Sequence, residues 1–137
     1  MKRKTSLKTL RLKAWKACSL YVRQVHSSKG YATCYTCGTK AHWKSLHAGH
    51  AIPGRTNSVL LDTEIIRPQC PVCNIWKGGM HHVFATKLIK ENGLDWWEKK
   101  LIEAKKTVKY TRSDYETLTN DFNSKIQAMI LIPRFRH

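Results

Sequence analysis

The sequence predicts an α+β fold that is mostly helical, with a small core of short strands held together by cysteines. Two Cys-x-x-Cys pairs, Cys34–Cys37 and Cys70–Cys73, flank a segment that contains several turn-forming residues. On either side of this core, apolar residues recur at steps of three and four, which is typical of amphipathic helices. The chain of 137 residues is therefore expected to form one compact domain with three regions: a basic amphipathic helix in 1–30, the cysteine core in 31–79 and a helical region in 80–137.

The first helix is predicted over residues 7–25, and Thr5 or Ser6 could cap its start. Cys18 lies on its apolar stripe, so we expect a buried core thiol rather than a partner of the paired cysteines. The basic residues lie mainly off the stripe, where they form either a solvated face or a face toward phosphate. The stripe consists of Leu7, Leu10, Ala14, Ala17, Cys18, Tyr21, Val22 and Val25.

The central region should contain short strands and one short helix. Residues 31–47 suit a hairpin that has the first cysteine pair at its turn and residues 41–47 as its return strand. Residues 52–58 form a loop, and residues 59–61 and 65–66 could form a second short extended segment. Pro71 suits the first turn of a helix that runs through Lys77 and ends at Gly78 and Gly79.

Three helices are predicted in the last third of the chain. The first covers residues 80–91, and the second runs from Asp95 to about residue 107. The third begins with a capping box formed by Ser113 and Glu116. Trp96 and Trp97 are expected to pack against these helices rather than to stack on bases.

The charge of the chain points to a polyanionic partner. Lysine and arginine number 25 against 9 aspartate and glutamate residues, a formal net charge of +16. Nucleic acid would relieve the resulting repulsion, although a generically basic protein such as a ribosomal component would have a similar composition. Because lysines and arginines interrupt the apolar residues near the start, we expect no secretory signal, no membrane span and a cytoplasmic location. Thiols stay reduced there, so paired cysteines bind metal more often than they form disulfides.

The paired cysteines predict one structural zinc ion per chain. Zinc binds four thiolates tetrahedrally, and each Cys-x-x-Cys turn presents two sulfurs toward one point. Four protein ligands leave no open coordination position, which is typical of a structural site. A redox pair would instead need a thioredoxin-like βαβ context, which the sequence lacks. The predicted ligands are Cys34, Cys37, Cys70 and Cys73.

Two histidines and an asparagine form the candidate catalytic site. Zinc binding would bring His47 and His50 close to Asn74, which directly follows the second cysteine pair. Residues three apart on a regular strand face opposite ways, so both histidines can share one site only if the strand bends at Ala48–Gly49.

Phosphodiester hydrolysis needs a base for the attacking water and a cation on the phosphate. A pKa near 6.5 suits His50 as the general base, and His47 and Asn74 are assigned as ligands of a catalytic Mg²⁺ or Mn²⁺. Alternatively, the histidines are only structural parts of a zinc-containing DNA-binding module. Basic residues that lie close in the sequence are candidate DNA-binding groups, namely Lys44, Arg55, Arg67 and Lys77.

The pattern of motifs resembles the ββα-metal nucleases, also called HNH or His-Me finger nucleases. It consists of Cys-x-x-Cys-Gly at 34–38, His-Ala-Gly-His at 47–50 and Gln-Cys-Pro-Val-Cys-Asn at 69–74, followed by Gly78 and Gly79. The sequence is most similar to the NinG/Rap recombination endonucleases of lambdoid phages, and more distantly to the phage endonuclease VII family. The similarity extends to residues 12–23 and 109–111, so it covers most of the chain.

The resemblance implies metal-dependent cleavage of branched DNA, Holliday junctions especially, during phage recombination in the host cytoplasm. By the family motif, His50 matches the general base, Asn74 a metal ligand and the four cysteines the zinc site. His47 stands where the family usually has aspartate, which should weaken Mg²⁺ relative to Mn²⁺. The asparagine in the middle of many HNH motifs is replaced by Ile65, and Asn57 lies further upstream.

A junction resolvase makes two cuts related by two-fold symmetry, so a homodimer is expected if the chain resolves junctions. A nicking or DNA-packaging nuclease of the same fold is the alternative within the same superfamily.

Overall fold

The computed structural model describes residues 3–131. Met1, Lys2 and residues 132–137, which the first and last predicted regions include, lie outside the described residues.

Helix α1 spans Leu7–Val25, as predicted. Its cap is Ser6, whose Oγ accepts a hydrogen bond from the backbone N–H of Thr9 at 3.1 Å. Cys18 is fully buried, and this burial raises the pKa of its thiol to about 12. The prediction of a core thiol at Cys18 is therefore confirmed.

The strands form two small antiparallel sheets. Strand β1 (Tyr31–Thr33) pairs with β2 (Lys40–His42), and β3 (His47–His50) pairs with β4 (Ile66–Gln69). The return strand predicted over residues 41–47 is wrong, because the chain leaves β2 at His42 through a 3₁₀ turn at Trp43–Ser45. The His42 ring starts this turn by accepting a hydrogen bond from the Lys44 N–H at 3.2 Å.

Short helical segments connect these strands. Residues Asn57–Leu60 form helix α2, and a 3₁₀ turn at Thr63–Ile65 leads into β4. The extended segment predicted at residues 59–61 is therefore wrong, since a short apolar run fits a buried helical turn equally well. The predicted helix after Pro71 is a single π-helical turn at Val72–Trp76.

The last third contains α3 (His81–Asn92), α4 (Leu94–Ala104) and α5 (Arg112–Leu131). Helix α5 is capped two residues earlier than predicted, at Thr111 rather than Ser113. The Thr111 N–H donates to Asp114 Oδ2 at 2.8 Å, and the Asp114 N–H donates back to Thr111 Oγ1 at 3.1 Å. This pair performs the reciprocal capping that we predicted for Ser113 and Glu116.

Helix α1 is the centre of the packing, because it lies along α5 and also contacts β3 and β4. Ile66 on β4 and Phe84 and Leu88 on α3 are fully buried in the main core. Trp96 and Trp97 pack against this core, as predicted. None of the helices within residues 3–131 is long and apolar enough to span a membrane.

Candidate active site

The four cysteines of the two pairs form one cluster. The Sγ atoms of Cys34, Cys37, Cys70 and Cys73 all lie within 4.8 Å of one another, and Cys37 and Cys70 are 3.7 Å apart. A tetrahedral site with Zn–S bonds of about 2.3 Å has sulfurs about 3.8 Å apart. The cluster therefore has the dimensions to hold one zinc ion, and all of its cysteines are free thiols.

Backbone hydrogen bonds fasten this cluster to the second sheet. The Tyr35 N–H donates to the Pro68 carbonyl at 2.9 Å, which ties the first cysteine turn to β4. The Asn74 N–H donates to the Cys70 carbonyl at 3.0 Å, which closes the second turn. Asn74 is therefore held directly beside the cysteine cluster.

Two of the thiols differ in their tendency to ionise. Burial opposes ionisation of Cys34, but hydrogen bonds from the Cys70 backbone and the Thr36 hydroxyl outweigh it and lower the pKa of Cys34 to about 6. Burial raises the pKa of Cys73 to about 12. Cys34 is thus more readily ionised than Cys73.

The structure brings His47 and Asn74 together. His47 begins β3, whereas Asn74 lies on the π-helical turn, and the Asn74 Nδ2 donates to His47 Nδ1 at 3.1 Å. Both side chains line an open cavity of about 370 Å³. The remaining lining residues are Trp15, Ser19, Arg23, Lys44, Leu46, Ala48 and Arg55.

Three cations converge on this cavity, and each lies against an indole ring. The Arg55 guanidinium lies 4.8 Å from the Trp15 ring centroid. Arg23 and Lys44 lie 5.4 Å and 5.7 Å from the Trp43 ring centroid. Cation–π contact holds a positive charge in place without neutralising it, so the cavity stays strongly positive.

The lining of this cavity, as far as residues 3–131 describe it, includes no acidic side chain. The sequence contributes to this result, because Asp62 is the first acidic residue of the chain. Asp62 and the next acidic residue, Glu64, are both paired with Lys100, at 3.0 and 2.6 Å. The carboxylates nearest in sequence are therefore paired with Lys100 and do not face the cavity.

His50 does not line the cavity, but its ring lies against Trp15, which does. The two rings stack with centroids 5.0 Å apart at an angle of 30°. His50 Nε2 lies 3.0 Å from the Leu60 carbonyl oxygen. Since a carbonyl only accepts, Nε2 carries the proton and Nδ1 keeps a free lone pair in the neutral ring. Burial lowers the pKa of His50, the hydrogen bond to the Leu60 carbonyl raises it in part, and the Arg55 charge lowers it further. With a net pKa below 6.5, this ring is mostly neutral at pH 7.

The predicted bend at Ala48–Gly49 is wrong. Strand β3 pairs with β4 in one continuous register from His47↔Gln69 to His50↔Ile66. Glycine is required at position 49 for a different reason, because a Cβ there would lie 1.8 Å from Gln69 Oε1. Gly49 thus lets a buried side chain approach the backbone, and the two histidines remain in separate environments.

Asn57 anchors the segment that follows His50. Its Oδ1 accepts hydrogen bonds from Arg11 Nε at 3.0 Å and from the Tyr115 hydroxyl at 3.3 Å. Its Nδ2 donates to the Val108 carbonyl at 3.1 Å. Asn57 thereby fixes α2, which ends at Leu60, whose carbonyl holds His50. Ile65, which stands where many HNH motifs have asparagine, is instead buried in the core.

Two of the four predicted DNA-binding residues, Lys44 and Arg55, line the cavity. The Arg67 guanidinium instead donates to the carbonyls of Thr63, Glu64 and Ile66 and lines a different cavity. Lys77 is exposed just after the π-helical turn.

Sequence reasoning missed Trp15, Ser19 and Arg23 as residues of the site. They recur at steps of four along α1, which places them on one face of the helix. That spacing was the signal that could have found them.

A family model described as the bacteriophage lambda NinG protein matches residues 1–130. Comparison with curated proteins and with solved structures gives no match.

Proposed function

Because the chain belongs to the bacteriophage lambda NinG family, we propose that it is a metal-dependent endodeoxyribonuclease that cleaves branched DNA during phage recombination. The observation that carries this proposal is the cavity where the His47–Asn74 pair meets three cations and no carboxylate.

Arg23, Lys44 and Arg55 would bind the phosphodiester. Each is held against an indole, and none forms an ion pair within the described part of the chain. Three uncompensated positive charges around one cavity repel one another, and a phosphate group relieves this repulsion. Such an arrangement also stabilises the negative charge that develops on the phosphate in the transition state.

His50 would act as the general base. The Leu60 carbonyl fixes the tautomer in which Nδ1 is unprotonated, and the lowered pKa keeps the ring neutral at pH 7. A neutral imidazole with a free lone pair can accept the proton of the attacking water. Because His50 itself does not line the cavity, this role requires the Trp15 ring that stacks on it to shift when DNA binds. His47, which is more exposed and lines the cavity, is the alternative candidate for this role.

His47 and Asn74 would hold the catalytic divalent metal, which supplies charge stabilisation on the phosphate oxygens. Their side chains are in contact, so the Asn74 amide oxygen and a ring nitrogen of His47 lie close enough to serve as two ligands of one ion once the ion replaces the hydrogen bond between them. Both donors are neutral, and Mg²⁺ usually relies on carboxylates and substrate phosphates. The DNA phosphate would therefore supply the anionic oxygens, and Mn²⁺ should support activity better than Mg²⁺.

The cysteine cluster would hold a structural zinc ion. Its role would be to keep the Asn74 turn beside β3, where His47 lies. Structural zinc contributes about 10–16 kcal/mol in finger peptides, which is comparable to the whole stability of a small domain.

Cleavage of a plasmid and of a four-way junction, each with no added divalent ion, with Mg²⁺ or with Mn²⁺, tests this function. Wild type should resolve the junction only with a divalent ion. His50→Ala should lose about 10²–10⁴-fold in rate, the usual share of a general base, and keep its DNA affinity within about twofold. His82→Ala is the matched control, because His82 is exposed on α3.

Each other outcome points to a different function. Plasmid nicking without preference for the junction favours a nicking or packaging nuclease. Metal-independent binding without cleavage favours a non-catalytic zinc module. Full cleavage by His50→Ala, with loss of cleavage by His47→Ala, would move the base assignment to His47.

A further inference from the structure

Trp76 is the most exposed large apolar side chain in the described part of the chain, at 83% of its full accessibility. Two further apolar residues of the same π-helical turn are also exposed, Ile75 at 62% and Val72 at 50%. Single exposed apolar residues are common on protein surfaces. Three on one five-residue turn, next to Asn74 in the candidate active site, form a localised apolar patch.

The cysteine cluster fixes the direction in which this patch faces. Cys73 points inward and is 1% exposed, and the side chain of Asn74 is directed to His47. With these two residues fixed, the turn cannot rotate to bury Trp76. The exposed indole is thus a consequence of the same geometry that places Asn74.

The surroundings of the patch favour an anionic partner. Residues 65–90, which include the turn, contain no acidic residue. Lys77 directly follows Trp76 and is exposed. A partner that offers both negative charge and a flat apolar face is a nucleic acid strand with an unstacked base, since every base has a π-face.

We propose that Trp76 stacks on an unstacked base of the same DNA whose phosphodiester is bound in the cavity, an inference that rests on the proposed nuclease function. Bases inside a continuous duplex are covered by their neighbours, whereas bases at a branch point or in a single strand are not. Trp76 would therefore distinguish branched DNA from linear duplex. Ile75 and Val72 would contact the same nucleotide at the edge of the indole.

The test is binding of the full chain to a fluorescently labelled four-way junction and to a linear duplex of the same arm sequence, with Ca²⁺ as the only added divalent ion. Trp76→Ala should weaken junction binding by about 5- to 150-fold, the range that base–aromatic stacking covers, and change duplex binding by less than about twofold. Trp76→Phe should keep most of the preference. Because Trp76 is so exposed, zinc content and thermal unfolding of the variants should match wild type.

A matched pair of isoleucines controls for loss of apolar surface alone. Ile75 and Ile102 are both 62% exposed, and Ile102 lies on α4. Ile75→Ala should reduce the junction preference, and Ile102→Ala should not. A 2-aminopurine at the branch point should be quenched by wild type and not by Trp76→Ala.

Equal losses on junction and duplex, or no loss on either, would overturn this role for Trp76. A change in oligomeric state of Trp76→Ala on sedimentation would also overturn it, because the patch would then be an interface with a second copy. The binding assay involves no cleavage, so it decides on Trp76 even if no metal supports cutting. Conversely, cleavage by wild type would stand even if Trp76→Ala binds normally.

Discussion

Substitution of Gly49 by alanine should destabilise the whole second sheet. The new Cβ would lie 1.8 Å from Oε1 and 2.7 Å from Cδ of Gln69, so that the Gln69 side chain must move. This side chain is fully buried and is held by hydrogen bonds from its Nε2 to the Gly79 carbonyl at 2.9 Å and to Thr36 Oγ1 at 3.1 Å.

The loss of stability comes from the hydrogen bonds that the displaced Gln69 side chain can no longer form. Each lost hydrogen bond costs about 0.5–1.5 kcal/mol, and a buried carbonyl without a partner costs about 1–3 kcal/mol. The free energy of unfolding should therefore fall by about 2–6 kcal/mol, a large share of the 5–15 kcal/mol typical of a domain. Gly49 does not have a positive φ, so this cost is steric and not conformational.

Urea unfolding of the zinc-saturated protein, followed by circular dichroism, measures this effect. Gly54→Ala is the control, because its Cβ meets nothing within 4 Å and it bears only the backbone cost of φ +117°. With Gln69→Ala as background the steric conflict is gone, so the double variant should be about as stable as Gln69→Ala alone. A Gly49→Ala protein within about 1 kcal/mol of wild type, or additive costs in the double variant, would refute the reasoning.

Four further predictions concern the chemistry and the zinc cluster. His47→Asp should keep its activity and shift the ratio of rates in Mg²⁺ and Mn²⁺ toward Mg²⁺, since a carboxylate is a harder ligand; an unchanged ratio would speak against metal binding at this position. The pKa of His50 is lowered from 6.5, and the neutral ring, which is the base, predominates above the lowered pKa. The single-turnover rate should therefore rise with pH, with a midpoint below 6.5, and then level off. A midpoint above 6.5 would contradict the assignment of His50 as the base. Cys73→Ser should abolish binding of one zinc ion per chain by elemental analysis and unfold the central region; a folded, metal-free variant would show that zinc is not structural. Asn57→Ala removes the hydrogen bond that anchors α2, so the Leu60 carbonyl at the end of α2 holds His50 less firmly. The cleavage rate should fall about tenfold or more with DNA affinity unchanged, and a normal rate would exclude a role of Asn57 in positioning His50.

Local patterns allowed much of the fold to be predicted from the sequence. The periodicity of α1 and its serine cap depend on neighbours within one turn, so they agree with the structure from Leu7 to Val25. The spacing of the two cysteine pairs likewise predicted the cluster that the structure shows. The strands were predicted less well, because pairing of β3 with β4 joins segments that are distant in the chain.

The sequence by itself determined the residue types of the candidate site: four thiols, two histidines, an asparagine and an excess of positive charge. Only the tertiary structure decided which of them meet. It brought the Asn74 side chain into hydrogen-bond contact with His47, and His50 into hydrogen-bond contact with the Leu60 carbonyl. It added Arg23 to the cavity and directed Arg67 elsewhere. The physical reason is that spacing along a chain fixes contacts within one helical turn or one Cys-x-x-Cys turn. Which residues line a cavity depends instead on how helices and sheets from distant parts of the sequence pack together.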